Sequence, residues 1–175
     1  SGTTRGGGRA LVKMTTSVGE VFIGSMNMRG AWADWRALPK NDRGEDVQMV
    51  NVTSAQSSAN VNRVDFSPMH MANGAYLDPD KGAYGSFEHY WQSCKVIEGL
   101  NHEERDRWWK SLTKAKRRDP RMINKDKTRK KVLYAKHSRF PGSRLNYVES
   151  RKLVYAPDYH SKIVNGPGIR RLKGM

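Results

Sequence analysis

Between Ser86 and Lys95 the chain reads SFEHYWQSCK, which spaces an acid, an amide and an amine at Glu88, Gln92 and Lys95. At about 100° per residue on a helix, these three form one stripe beside an apolar face of Phe87, Tyr90, Trp91, Cys94 and Ile97. Polar groups that border the core, rather than oppose it, mark the rim of a pocket. Glu88 falls in the first helical turn, where free N–H groups and the positive dipole end favour an ionised carboxylate. It therefore suits a base or a stabiliser of positive charge better than an acid. Gln92, one turn on, is spaced to hold Glu88. His89 projects away from the stripe, which fits a structural hydrogen bond, and Trp91 lies between stripe and core. Cys94 faces the apolar side, so it is a poor nucleophile.

The elements that must position these residues follow from caps and breakers. Ser86 is spaced to N-cap the motif helix, with a C-terminus expected near Gly99. Asn101 caps the next helix, with Glu103 and Glu104 at its start, Lys114 and Lys116 at its end, and Pro120 as terminator. A third helix is expected over 125–136, followed by an irregular tail after Pro141 with a short element near Leu153. Upstream, 19–28 and 46–53 read as strands, 31–38 as a short helix, and 53–85 as a long loop with turns at Asn73-Gly74 and Asp78-Pro79. Asn27 and Arg29, after the first strand, have the chemistry to bind a phosphate, although a turn requiring Gly30 explains them nearly as well.

The order Ser, apolar, Glu, His, Tyr, aromatic, Gln, two small residues, Lys resembles the central motif of the NADAR, or YbiA-like, family of N-glycosidases. Asp65-Phe66-Ser67-Pro68-Met69 is similar in place to that family's Phe-Ser-Asn-Phe segment, without the Asn, and Lys114–Arg118 resembles the basic segment after the motif helix. The likeness spans about residues 65–120. It departs at the C-terminus, where the family's Gly- and Trp-rich segment has no counterpart; Lys152–Tyr159 stands there, with Asp158 in the place of the family Asp.

The resemblance implies a compact α+β fold, mainly helical with a few short strands, and cleavage of an N-ribosyl bond. The implied substrate is ADP-ribose on guanine in nucleic acid, or a free ribosylated nucleotide, with no metal or cofactor. Such cleavage builds positive charge on the ribose ring, which a fixed carboxylate can stabilise while orienting water. Glu88 takes that role, with Asp65 and Asp158 as candidates to protonate the leaving base. Ser86, His89, Tyr90, Trp91, Gln92, Lys95, Phe66 and Ser67 would line the ligand, Gln92 at a ribose hydroxyl and Lys95 at a phosphate.

The net charge of +15 falls entirely on residues 101–175; in residues 1–100 ten Lys or Arg balance ten Asp or Glu. Such asymmetry points to a polyanion. DNA or RNA is favoured over a membrane because Trp108, Trp109, Tyr134, Phe140 and Tyr147 interleave with the cations. Lys114, Lys116, Arg117, Arg118, Lys130 and Lys131 are the candidate contacts. The alternative to hydrolysis is thus a non-catalytic nucleic-acid-binding or assembly protein on the same scaffold.

With 175 residues, the chain is expected to form one domain over 11–175 behind a flexible Arg- and Gly-bearing arm at 1–10; its 11–64 region is atypical for the family and its 101–175 half basic. One Cys excludes an internal disulfide, and the absence of a long apolar run leads to the expectation of an intracellular protein. Walker, Rossmann and paired-Cys zinc patterns are absent, and the five His lack ligand-like spacing.

Overall fold

The computed structural model describes residues 12–16, 19–23, 61–71, 75–164 and 166–173. The chain divides into two units, 1–53 and 54–175. In the first, β1 (Val12–Thr16) and β2 (Gly19–Ile23) pair as an antiparallel hairpin with Val12 opposite Ile23. β2 lies within the expected 19–28 strand. The expected elements at 31–38 and 46–53, together with Asn27 and Arg29, lie outside the described residues.

The second unit is mixed α and β and mainly helical. Its order is α1 (Val61–Phe66), β3 (Tyr76–Asp78), β4 (Gly82–Tyr84), α2 (Phe87–Ser93), β5 (Lys95–Ile97), α3 (His102–Ser111), a 3-10 turn (Pro120–Met122) and β6 (Val132–Ala135). It ends with α4 (Tyr147–Ser150), a π turn (Arg151–Tyr155), α5 (Ala156–Val164) and α6 (Pro167–Lys173). β3 pairs with β4 and β5 with β6, both antiparallel. Among the described residues, no helix is long and apolar enough to cross a membrane.

α2 forms where its cap and pattern require. The Ser86 hydroxyl accepts the His89 N–H at 3.2 Å, and Phe87, Tyr90, Trp91, Cys94 and Ile97 are all buried. Phe87, Tyr90, Trp91 and Cys94 meet Tyr84, Trp109, Ala135, Leu145 and Val154 in one core, where each large apolar side chain contributes about 1.5–3 kcal/mol. Asn101 caps α3 by accepting the Glu104 N–H at 2.9 Å.

Several elements differ from the sequence reading. α2 ends at Ser93 rather than near Gly99, because the Cys94 carbonyl accepts the Lys136 N–H at 2.9 Å and β-branched Val96 and Ile97 join a ladder. α3 stops at Ser111, so Lys114 and Lys116 lie in an irregular segment and Lys110 is the basic residue of its last turn. No helix covers 125–136; Val132–Ala135 is β6, its apolar and aromatic residues masked in sequence by the charge run before them. The 53–85 stretch contains α1 and the β3–β4 hairpin, whose turn forms at Asp78-Pro79 as expected: Asp78 Oδ2 accepts the Asp80 and Lys81 N–H groups at 3.1 and 2.8 Å.

The tail is helical rather than irregular. Asn146 and Glu149 form a reciprocal capping box at α4. Pro157 has no N–H for the Leu153 carbonyl, and the π turn before it, closed by the Ala156 N–H on the Arg151 carbonyl, makes room for its ring. The Leu153 carbonyl instead accepts from Arg139 Nη2 at 3.4 Å. Pro167 opens α6, where the fixed φ of proline is tolerated. Gly168 is required by packing: a Cβ there would come 2.7 Å from atoms of Asp65 and Phe66, so only glycine lets α6 press on α1.

Candidate active site

Glu88 is half-buried on α2, and Gln92 Nε2 donates to its Oε1 at 2.7 Å, the one-turn contact that the spacing implied. The Glu88 N–H donates to the Pro68 carbonyl at 2.9 Å, fixing the helix start against the chain after α1. Lys95 reaches the same stripe as the first residue of β5 rather than as a third helical turn. Its ammonium stands 5.7 Å from the Trp91 ring centroid. Burial lowers the Lys95 pKa, nearby Glu88 opposes that shift, and Arg105, Arg151 and Arg129 reinforce it.

Two further residues complete the surroundings, and sequence reasoning missed both. The Arg151 guanidinium lies 3.9 Å from the Tyr155 ring centroid and 5.8 Å from that of Trp91, while Tyr155 packs edge-on against Trp91 at 5.1 Å. Burial raises the Tyr155 pKa, as does the charge of Glu88, against the pull of Arg151. Arg151 and Tyr155 also wall a hollow of about 490 Å³ with Tyr159 and His160. Their four-residue spacing was a visible signal. The π turn that bears them was not, and such turns recur at functional sites.

The remaining candidates serve other contacts. Ser86, Phe66, Ser67, His89, Tyr90 and Trp91 are all buried. Ser67 Oγ accepts the Met69 N–H at 3.2 Å, and the Phe66 carbonyl accepts the Tyr159 hydroxyl. His89 Nε2 accepts the Lys116 N–H at 3.0 Å. Trp91 is buried, with Tyr155 edge-on at 5.1 Å and the Lys95 and Arg151 cations at 5.7 and 5.8 Å from its ring centroid, so it serves the core more than it offers a face to a ligand.

The two candidate acids each hold a guanidinium. Asp65 Oδ2 pairs with Arg171 Nη1 at 2.5 Å, and Asp158 Oδ1 pairs with Arg139 Nη2 at 2.8 Å. Asp158 Oδ2 also accepts the Tyr90 hydroxyl at 2.5 Å. Asp158 is thereby drawn into a buried group with Asp78 and His137, whose ligand-type atoms lie within 4.8 Å of one another although they come from α5, β3 and the segment after β6. The protein already fills these atoms. His137 Nδ1 accepts the Arg139 N–H at 3.1 Å, so its proton sits on Nε2, 3.1 Å from Asp78 Oδ1. The group is accordingly a hydrogen-bonded brace rather than a set of open metal ligands.

Lys114, Lys116, Arg117, Arg118 and Lys131 are exposed, and Lys130 is half-buried. Comparison with family models, curated proteins and solved structures returns no significant match.

Proposed function

We propose that the protein is a hydrolase that cleaves an N-ribosyl bond, with ADP-ribose on guanine, in nucleic acid or as a nucleotide, as the substrate class. The observation that supports this most is the Gln92–Glu88 bond of 2.7 Å, which fixes a half-buried carboxylate beside Lys95. A carboxylate so held needs no reorganisation to stabilise the ribosyl cation. In the reaction the bond between ribose C1′ and the base nitrogen breaks and its electron pair leaves with the base. Water oxygen bonds C1′, and Glu88 takes the water proton. The base nitrogen takes a proton from Lys95, whose pKa burial depresses; this assigns the acid role away from Asp65 and Asp158, whose oxygens are committed to guanidinium partners. Arg151 then faces the substrate phosphates.

The test is Glu88→Gln, with product from ADP-ribosylated guanosine followed by mass. Folding and ligand affinity should persist while turnover falls at least about 100-fold, the usual size of a lost acid–base group. Unchanged turnover would remove the proposal.

A second reading, a nucleic-acid-binding protein without cleavage, is supported by the exposed run Lys114, Lys116, Arg117 and Arg118. It predicts steeply salt-dependent binding of unmodified DNA or RNA that depends on this run and not on Glu88.

A further inference from the structure

A second hollow, of about 570 Å³, is walled by Lys81, His102, Tyr134, Lys136, Phe140 and Arg144; small-molecule sites span roughly 300–1,000 Å³. In the β5–β6 ladder Lys95 pairs with Ala135 and Val96 with Tyr134. Because side chains alternate along a strand, Tyr134 leaves on the face opposite Lys95.

Cations dominate its rim. Lys136 and Arg144 are exposed, and no carboxylate among the described residues forms an ion pair with either. Lys81 is shared with Asp106 at 3.5 Å and donates to Ser93 Oγ at 2.8 Å. The acid beside the rim, Asp80, accepts the Ser138 hydroxyl at 2.6 Å. Burial first, and then the charges of Lys136, Lys81 and Arg105, push the His102 pKa down to about 4. His102 Nδ1 is buried with no hydrogen-bond partner.

Two half-buried rings supply the apolar part. The Arg144 guanidinium lies 4.9 Å from the Tyr134 ring centroid, and that of Arg139 lies 6.0 Å from Phe140. Gly142, at φ 74°, turns the chain between Phe140 and Arg144 so that both reach the same hollow. A metal ion is disfavoured by so many cations, and a plain peptide makes poor use of the two unpaired ones. A phosphate next to a flat, stackable base uses everything present.

We propose that this hollow binds a nucleotide unit, with Lys136 and Arg144 on the phosphate and Tyr134 and Phe140 against the base. The site uses none of the residues around Glu88, so it stands or falls apart from cleavage. The nucleotide belongs either to a free mononucleotide or to single-stranded nucleic acid. Fluorescence anisotropy with a labelled 12-mer oligothymidylate, and calorimetry with AMP, distinguish the two. Binding of AMP marks a mononucleotide site, and binding of the oligomer alone marks a strand site.

In either case Lys136→Glu/Arg144→Glu should weaken binding at least about tenfold, and for the oligomer reduce the salt slope by about 0.7, the value for one neutralised phosphate on a single strand. Lys136→Gln/Arg144→Gln should show a smaller loss in the same direction, and thermal melting of both variants checks the fold. The proposal is overturned if neither probe binds, or if both double variants bind as well as the parent.

Discussion

His89 Nε2 accepts the backbone N–H of Lys116 at 3.0 Å, tying the motif helix to the basic segment 27 residues downstream. The ring is buried and packs 5.4 Å from Trp109, about 100° round α2 from Glu88. One imidazole thus holds the cationic loop while its neighbour in sequence faces the candidate site. His89→Ala removes an acceptor and opens a cavity, a loss of about 2–4 kcal/mol in urea melts. Amide exchange at Lys116 should accelerate in that variant; unchanged protection there would show that the loop is held by something else.

Gln92 orients Glu88, so Gln92→Ala should leave the melting temperature nearly unchanged while lowering turnover of ADP-ribosylated guanosine about tenfold. The effect belongs in kcat rather than KM if the contact matters in the transition state. A variant as active as the parent would show that Glu88 does not need its partner.

Tyr90 donates to Asp158 inside the core, beside the Arg139 pair. Tyr90→Phe leaves that carboxylate short of one donor at little change in volume, and should destabilise by about 1–3 kcal/mol. Chemical denaturation measures this directly; a neutral outcome would mean that Arg139 alone satisfies Asp158.

Acid should weaken the fold through its histidines. Burial holds His102 at about 4, and lowers His89 and His70 as well. Between their folded values and about 6.5 the unfolded chain binds more protons than the native one, so stability is whole above 6.5 and declines as pH falls through this window. His102→Gln should flatten the decline between pH 6.5 and 4. An identical pH profile in that variant would contradict the depressed value.

Local signals decided a definite part of this molecule. The Ser86 and Asn101 caps, the apolar face of α2, the Asp78-Pro79 turn and the Gln92–Glu88 contact were all legible, because each depends on residues within about one turn of one another. Only the tertiary structure decided the rest. Lys95 became a strand residue because Val132–Ala135, distant in sequence, offered it a partner ladder. Pro157 was absorbed into a helical tail because Arg139 satisfies the carbonyl that proline leaves free. Asp65 and Asp158 look like free acids in sequence, and the guanidiniums that engage them are 106 residues away in one case and arrive from another segment in the other. Arg151 and Tyr155 join Glu88 for the same reason: partners brought together by chain folding leave no periodicity to read.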